Sequence, residues 1–137
     1  MKIFIFIASV LFSGLALSAD NWLQITNTTK SIFSFDPDNI DNVTYQGKSY
    51  IKTWIKGEEL NQAKGQEGKL TGYKTMILYY FDCQNKQLAI KSATRYKNGE
   101  PVKGNSINLN YLEFNDVIPD TVADDFLTYS CAGNSIK

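Results

Sequence analysis

The stretch "MILYYFDCQNKQL", Met76 to Leu88, decides how this chain is read. Strand-forming apolar and aromatic residues fill both alternating faces through Phe81, as a strand in the middle of a sheet requires. Asp82-Cys83 ends the run, and the polar turn "QNK" sends the chain back into "QLAIKSATRY". In that return run Leu88 and Ile90 are expected on one face, with Ala89, Lys91, Ala93 and Arg95 on the other.

Cys83 is one of two cysteines, the other being Cys131 in "FLTYSCAG". Which chemistry they serve depends on compartment. The N-terminus reads "MKIFIFIASVLFSGLALSAD": Lys2, an apolar run Ile3–Leu17, then small residues through Ala19. That is the layout of a secretory leader spanning residues 1–19, with cleavage after Ser18 or Ala19. The run falls short of the roughly 20 residues a membrane span needs, and no second apolar run follows. No cysteine stands near the junction to take a lipid anchor. The mature part, residues 20–137, is expected to be exported as one domain without a membrane span.

In an oxidising compartment two cysteines most simply form a disulfide. Closing a loop from Cys83 to Cys131 contributes roughly 4 kcal/mol on the chain-entropy account. The alternative is a nucleophilic thiol. It would need a neighbouring base or cation, whereas the chain has no histidine and Asp82 would push a thiol pKa upward. The disulfide is the stronger reading.

Extended signals dominate elsewhere. "NWLQIT" and "SIFSFD" flank "NTTK" like a hairpin, and "DPDNIDN" reads as a turn or a single helical turn. Gln46-Gly47 marks a tight turn or a bulge within "VTYQGKSYIKTWIK". Beyond it Tyr50, Lys52, Trp54 and Lys56 share one face of a strand, with Ile51, Thr53 and Ile55 on the other. "GEELNQAKGQEGKLTG", Gly57 to Gly72, reads as a long mobile loop between strands. Asn98-Gly99 is the strongest hairpin signal. Toward the C-terminus Thr121 and Asp124 have capping-box spacing, Val122, Phe126 and Tyr129 recur at helical intervals, and Gly133 is placed to stop the helix. The expected fold is α+β: a single antiparallel sheet of about five to six strands, with one C-terminal helix packed on it.

Composition excludes some functions. The chain has 14 basic and 14 acidic residues, and loss of the leader removes only Lys2. Arg95 is the sole arginine. Nucleic-acid binders cluster surplus cations to neutralise phosphates, so that partner is excluded. Asp36, Asp38 and Asp41 fail as a calcium loop: Asp41 stands where the sixth-position glycine belongs and Gly47 where the glutamate belongs. An Asp-Pro turn explains them better. Glu58-Glu59, adjacent on a loop, cannot bracket a substrate as an acid/base pair. "GQEGKL" fails as a phosphate loop because Leu70 replaces the magnesium-binding hydroxyl. Asn27-Thr28-Thr29 and Asn42-Val43-Thr44 fit a glycosylation acceptor, which matters only in a eukaryotic secretory host. These readings leave no catalytic residues, no metal ligands and no cofactor.

One binding candidate emerges: the Tyr50, Lys52, Trp54 and Lys56 face. Rings alternating with ammonium groups suit a stacked sugar or a partner protein. The competing reading packs Tyr50 and Trp54 beneath the helix while the lysine stems reach outward. Sheets usually spend large aromatics on cores, so the second reading is favoured.

From Trp22 to Cys131 the chain resembles the surface-adhesin protein E family of small exported bacterial proteins. Trp22, "FSFDPDNI", "KTWIKG", "YYFDC", "RYKNGEPV" and "VIPDT" carry the likeness, by their order and spacing. The resemblance implies one antiparallel sheet, a C-terminal helix and a disulfide between the two cysteines. It implies binding rather than catalysis, since the founding adhesin attaches to host matrix and serum proteins and can dimerise. The absent lipid-anchor cysteine departs from that pattern and leaves periplasm, cell surface and medium open. A periplasmic protein that binds or inhibits another envelope protein is the alternative function.

Overall fold

The structure is a computed structural model and describes residues 21–134; the leader lies outside the described residues. Eight strands and one helix follow in order: β1 (Leu23–Asn27), β2 (Ser31–Phe35), β3 (Asp41–Tyr45), β4 (Lys48–Leu60), β5 (Leu70–Asp82), β6 (Gln87–Lys97), β7 (Glu100–Ser106), β8 (Asn115–Asp116) and α1 (Val122–Asn134). All pair antiparallel in the order β1-β2-β4-β5-β6-β7, with β3 beside β4 and β8 beside β6. The expected architecture is therefore present, with eight strands rather than five to six. The undercount has two sources. Gln46 and Gly47 both take positive φ (50° and 74°), so they split one apolar run into the β3–β4 hairpin. The two-residue β8 is too short to leave a periodic signal.

β5 is central, bonded along its length to β4 and β6. The Asn98-Gly99 hairpin forms between β6 and β7, with both residues at positive φ. The long loop expected over Gly57–Gly72 is shorter, because both of its ends are strand. Gly57 pairs with Thr75, Glu58 with Lys74 and Leu60 with Leu70, leaving only residues 61–69 to turn. Backbone pairing tolerates charged side chains wherever they reach solvent, and Glu59 meets Arg95 there at 2.8 Å.

The two faces of the sheet carry different layers. Phe35, Ile51, Ile55, Tyr79 and Phe81 form the main core with Phe126 and Leu127 of α1. Phe126 sits edge-on to Phe33 at 5.1 Å and tilted to Tyr79 at 5.7 Å. Burial pushes the Tyr79 phenol up to about 12. The buried stripe of α1 is Phe126, Leu127 and Ser130, while Tyr129 is largely exposed and only flanks Phe35. Thr121 Oγ1 accepts the Asp124 amide, whereas Asp124 Oδ2 reaches back to the Asp120 amide, one residue earlier than a capping box would have it. Gly133 does not stop α1. It lies inside the last turn, where a Cβ would come within 2.7 Å of Ile40 Cδ1.

β6 carries an irregularity that its residues do not announce. Leu78 pairs with Ser92 but Tyr79 pairs with Ile90, so Lys91 is an extra residue. Leu88 and Ile90 face the helix side as expected, but Ala93 and Arg95 follow them there. Ser92, Thr94 and Tyr96 take the opposite face.

Candidate functional site

The face away from α1 is built by register. Lys52 stands opposite Tyr80, Trp54 opposite Leu78, Lys56 opposite Met76 and Glu58 opposite Lys74. Met76 and Lys74 in turn face Thr94 and Tyr96 of β6. Directly paired residues share a face, so all of these side chains stand on one side of the sheet. The residues of β4 that look toward α1 are Ile51, Thr53 and Ile55. Trp54 consequently does not pack beneath the helix, and neither does Tyr50.

Part of this second face is covered. Leaving β6 after the Ile107 amide bonds Lys91, the chain crosses the face and returns at β8. On the way Asn110 Oδ1 accepts from the Tyr45 hydroxyl at 3.0 Å, and Phe114 stacks on Tyr50 at 4.7 Å. Under this crossing Tyr80 and Ala89 are buried, and burial raises the Tyr80 pKa. The four candidate residues are thereby divided. Tyr50 is held by Phe114, with Lys48 Nζ 5.8 Å from its ring centre. Lys52, Trp54 and Lys56 remain on the uncovered part.

Trp54 has neighbours there that sequence reasoning missed. Trp22, Asn39, Trp54, Met76 and Tyr96 line a cavity of about 250 Å³. All four of its aromatic and thioether side chains are half-buried. Lys56 Nζ lies 4.8 Å from the Trp22 ring, and Lys74 Nζ lies 5.3 Å from the Tyr96 ring. Such contacts fix both ring and cation. Met76 and Tyr96 look unremarkable along the chain and join the site only through the β4–β5–β6 register. Asn39 is set by the turn at Pro37–Asn39, where Asp36 accepts the Asp38 amide at 2.9 Å.

A second cavity, about 340 Å³, adjoins the Cys83–Cys131 disulfide and is lined by Lys48, Asp82 and Gln84 among others. Burial alone would raise the Asp82 pKa, but hydrogen bonds from Lys48 and Asn85 outweigh it and hold the carboxyl below its ordinary value. The same contact raises the Lys48 pKa. These groups are engaged with one another, which suits a structural role. Glu58 and Glu59, adjacent on β4, point to opposite faces and so cannot act as a carboxylate pair. Among the described residues no group of three or more His, Cys, Asp or Glu is placed to hold a metal, and no helix is long and apolar enough to cross a membrane.

One antiparallel sheet carries a single C-terminal helix and the Cys83–Cys131 disulfide, with a half-exposed aromatic cleft on the face away from the helix. The family model for surface-adhesin protein E matches residues 22–132, and the chain belongs to that family. No curated protein and no solved structure matches it significantly. Family membership makes this an adhesin-like surface protein.

Proposed function

We propose that the chain is an exported, non-enzymatic protein of the bacterial envelope that attaches to a host matrix or serum protein through the uncovered sheet face. The observation that carries this is the Trp22–Trp54–Tyr96 cleft. Three large aromatics stand half-exposed on the sheet face, rimmed by Lys56 and Lys74, while the core is built from other residues. Anchors in protein interfaces are drawn from such aromatic side chains. Membership of the adhesin family supports the same direction. Export follows from the leader, with cleavage after Ser18 or Ala19 releasing the domain, and a homodimer is compatible with the strand path ending at β1 and β7 among the described residues.

The test combines location with binding. Fractionation should find the protein at the cell surface or in the medium, and purified protein should bind wells coated with basement-membrane extract or serum protein. Trp54→Ala should weaken that attachment by about 2 kcal/mol or more. A strictly periplasmic protein that binds neither coating overturns the adhesin reading and leaves the envelope-partner alternative.

A further inference from the structure

We infer that the cavity among Trp22, Trp54, Met76 and Tyr96 takes one neutral pyranose ring, belonging to a glycan on the partner; this rests on the attachment reading above. Size sets the first limit. At about 250 Å³ the cavity lies below the range of roughly 300–1,000 Å³ usual for drug-sized ligands, so it suits a single ring rather than a buried chain.

Charge sets the second. Lys52 stands opposite Asp41 on β3, and Lys74 stands opposite Glu58. Only Lys56 lacks an acidic cross-strand partner, facing Met76 and Ser34, and its ammonium lies over Trp22. A face with donors and acceptors in near balance does not select a polyanion, which rewards surplus cations. It does suit hydroxyl groups, each of which both donates and accepts.

The rings supply the third argument. Lys56 and Lys74 engage the outer pair, Trp22 and Tyr96, whereas the Trp54 indole has no ring, cation or hydrogen-bond partner among the described residues. The indole N–H groups of Trp22 and Trp54 and the Tyr96 hydroxyl are likewise without hydrogen bonds there. An apolar platform edged by unengaged polar tips is amphipathic in the same way as a sugar ring, whose C–H face is apolar and whose rim is hydroxylic. Asn39, fixed by the Asp36 turn, adds a side-chain amide at the rim.

The experiment follows the two indole N–H signals by NMR in the mature protein. Probes are methyl α-D-mannopyranoside, methyl β-D-galactopyranoside, methyl β-D-N-acetylglucosaminide, the acidic methyl β-D-glucuronide, and glycerol as an open-chain polyol. At least one neutral glycoside should give saturable shifts at Trp22 and Trp54, with weaker response to the glucuronide and none to glycerol. Trp54→Ala, and separately Tyr96→Ala, should weaken binding about tenfold or more while the spectrum stays dispersed, as loss of a ring contact predicts. Absence of saturable shifts with every neutral glycoside overturns the inference, as does an unchanged response in both variants. Enzymatic deglycosylation of the coated matrix separates this from the attachment itself. Binding that survives deglycosylation keeps the attachment and removes the sugar; glycoside binding without matrix binding does the reverse.

Discussion

Lys48 Nζ lies 2.6 Å from Asp82 Oδ2, tying the start of β4 to the end of β5 one residue before the disulfide. Asp82 is only 2% exposed and also accepts the Asn85 amide at 3.0 Å and its side chain at 2.9 Å. One carboxylate therefore organises the β5–β6 turn and the β4 entry together. Its folded pKa is depressed, so the stability it contributes is complete above the unfolded value of about 3.9 and is lost as pH falls through the lower folded value. Stability measured by denaturant melts should fall between about pH 4 and the acid limit, and Asp82→Asn should flatten that segment of the curve. Lys48 has a raised pKa, so its contribution holds below the unfolded value of about 10.4 and declines in stronger alkali. An Asp82→Asn curve parallel to wild type in acid would assign the acid dependence to other carboxylates.

The disulfide beside this pair joins the end of β5 to α1 across 48 residues of sequence. Cys131→Ala should lower stability by about 2 to 5 kcal/mol, the usual range for small exported domains. Thiol titration of unfolded, unreduced protein should find none. Two titratable thiols per chain would show that the pairing does not form in the cell.

Two buried hydroxyls lie on the other face. Thr53 Oγ1 of β4 and Ser130 Oγ of α1 have no hydrogen-bond partner among the described residues, and both side chains are fully buried. An unpaired buried hydroxyl costs about 1–3 kcal/mol. Removing it should therefore help: Ser130→Ala, which also gains helix propensity, is expected to stabilise by about 1 kcal/mol. Thr53→Val, similar in shape, should be neutral or stabilising. A loss above about 1 kcal/mol in both variants would mean the hydroxyls are satisfied in solution.

Much of the architecture was legible because it rests on local rules. The apolar run Ile77–Phe81 marks the central strand, Asn98-Gly99 sets a hairpin, and two cysteines in a chain that reads as exported point to one bridge. The errors share a cause: they depend on contacts distant in sequence. Lys91 is the extra residue where the β5–β6 register shifts, and its carbonyl accepts the Ile107 amide; both partners are distant in sequence, so no window around Lys91 reveals them. Trp54 faces away from α1 because Ile51, Thr53 and Ile55 take the helix side, and the alternation itself is symmetric between the two faces. The cleft was half visible. Lys52, Trp54 and Lys56 lie on one strand, whereas Trp22, Met76 and Tyr96 reach them through two other strands and the segment before β1. Gly133 looked like a helix stop because that is glycine's commonest use near a C-terminus, and here it makes room for Ile40 instead.

The extended β4 and β5 strands give the last prediction. Residues 57–60 and 70–75 carry charges and glycines, yet they are paired across the sheet, and the Leu60 amide also bonds the Lys30 carbonyl at 2.8 Å. Residues 61–69 lie outside the strands, and all but Asn61 are exposed. Proteases need several residues of unpaired backbone, so brief trypsin treatment should cut first at Lys64 or Lys69 and spare Lys56 and Lys74. Amide exchange should show the same boundary, with Glu58 slow and Lys64 fast. Turn bonds such as the Gln66 amide to the Ala63 carbonyl at 2.9 Å are local and solvent-facing, so they slow neither process much. Early cleavage at Lys56 or Lys74, or fast exchange at Glu58, would mean that the paired ends of β4 and β5 open in solution and that the mobile segment is the whole of residues 57–72.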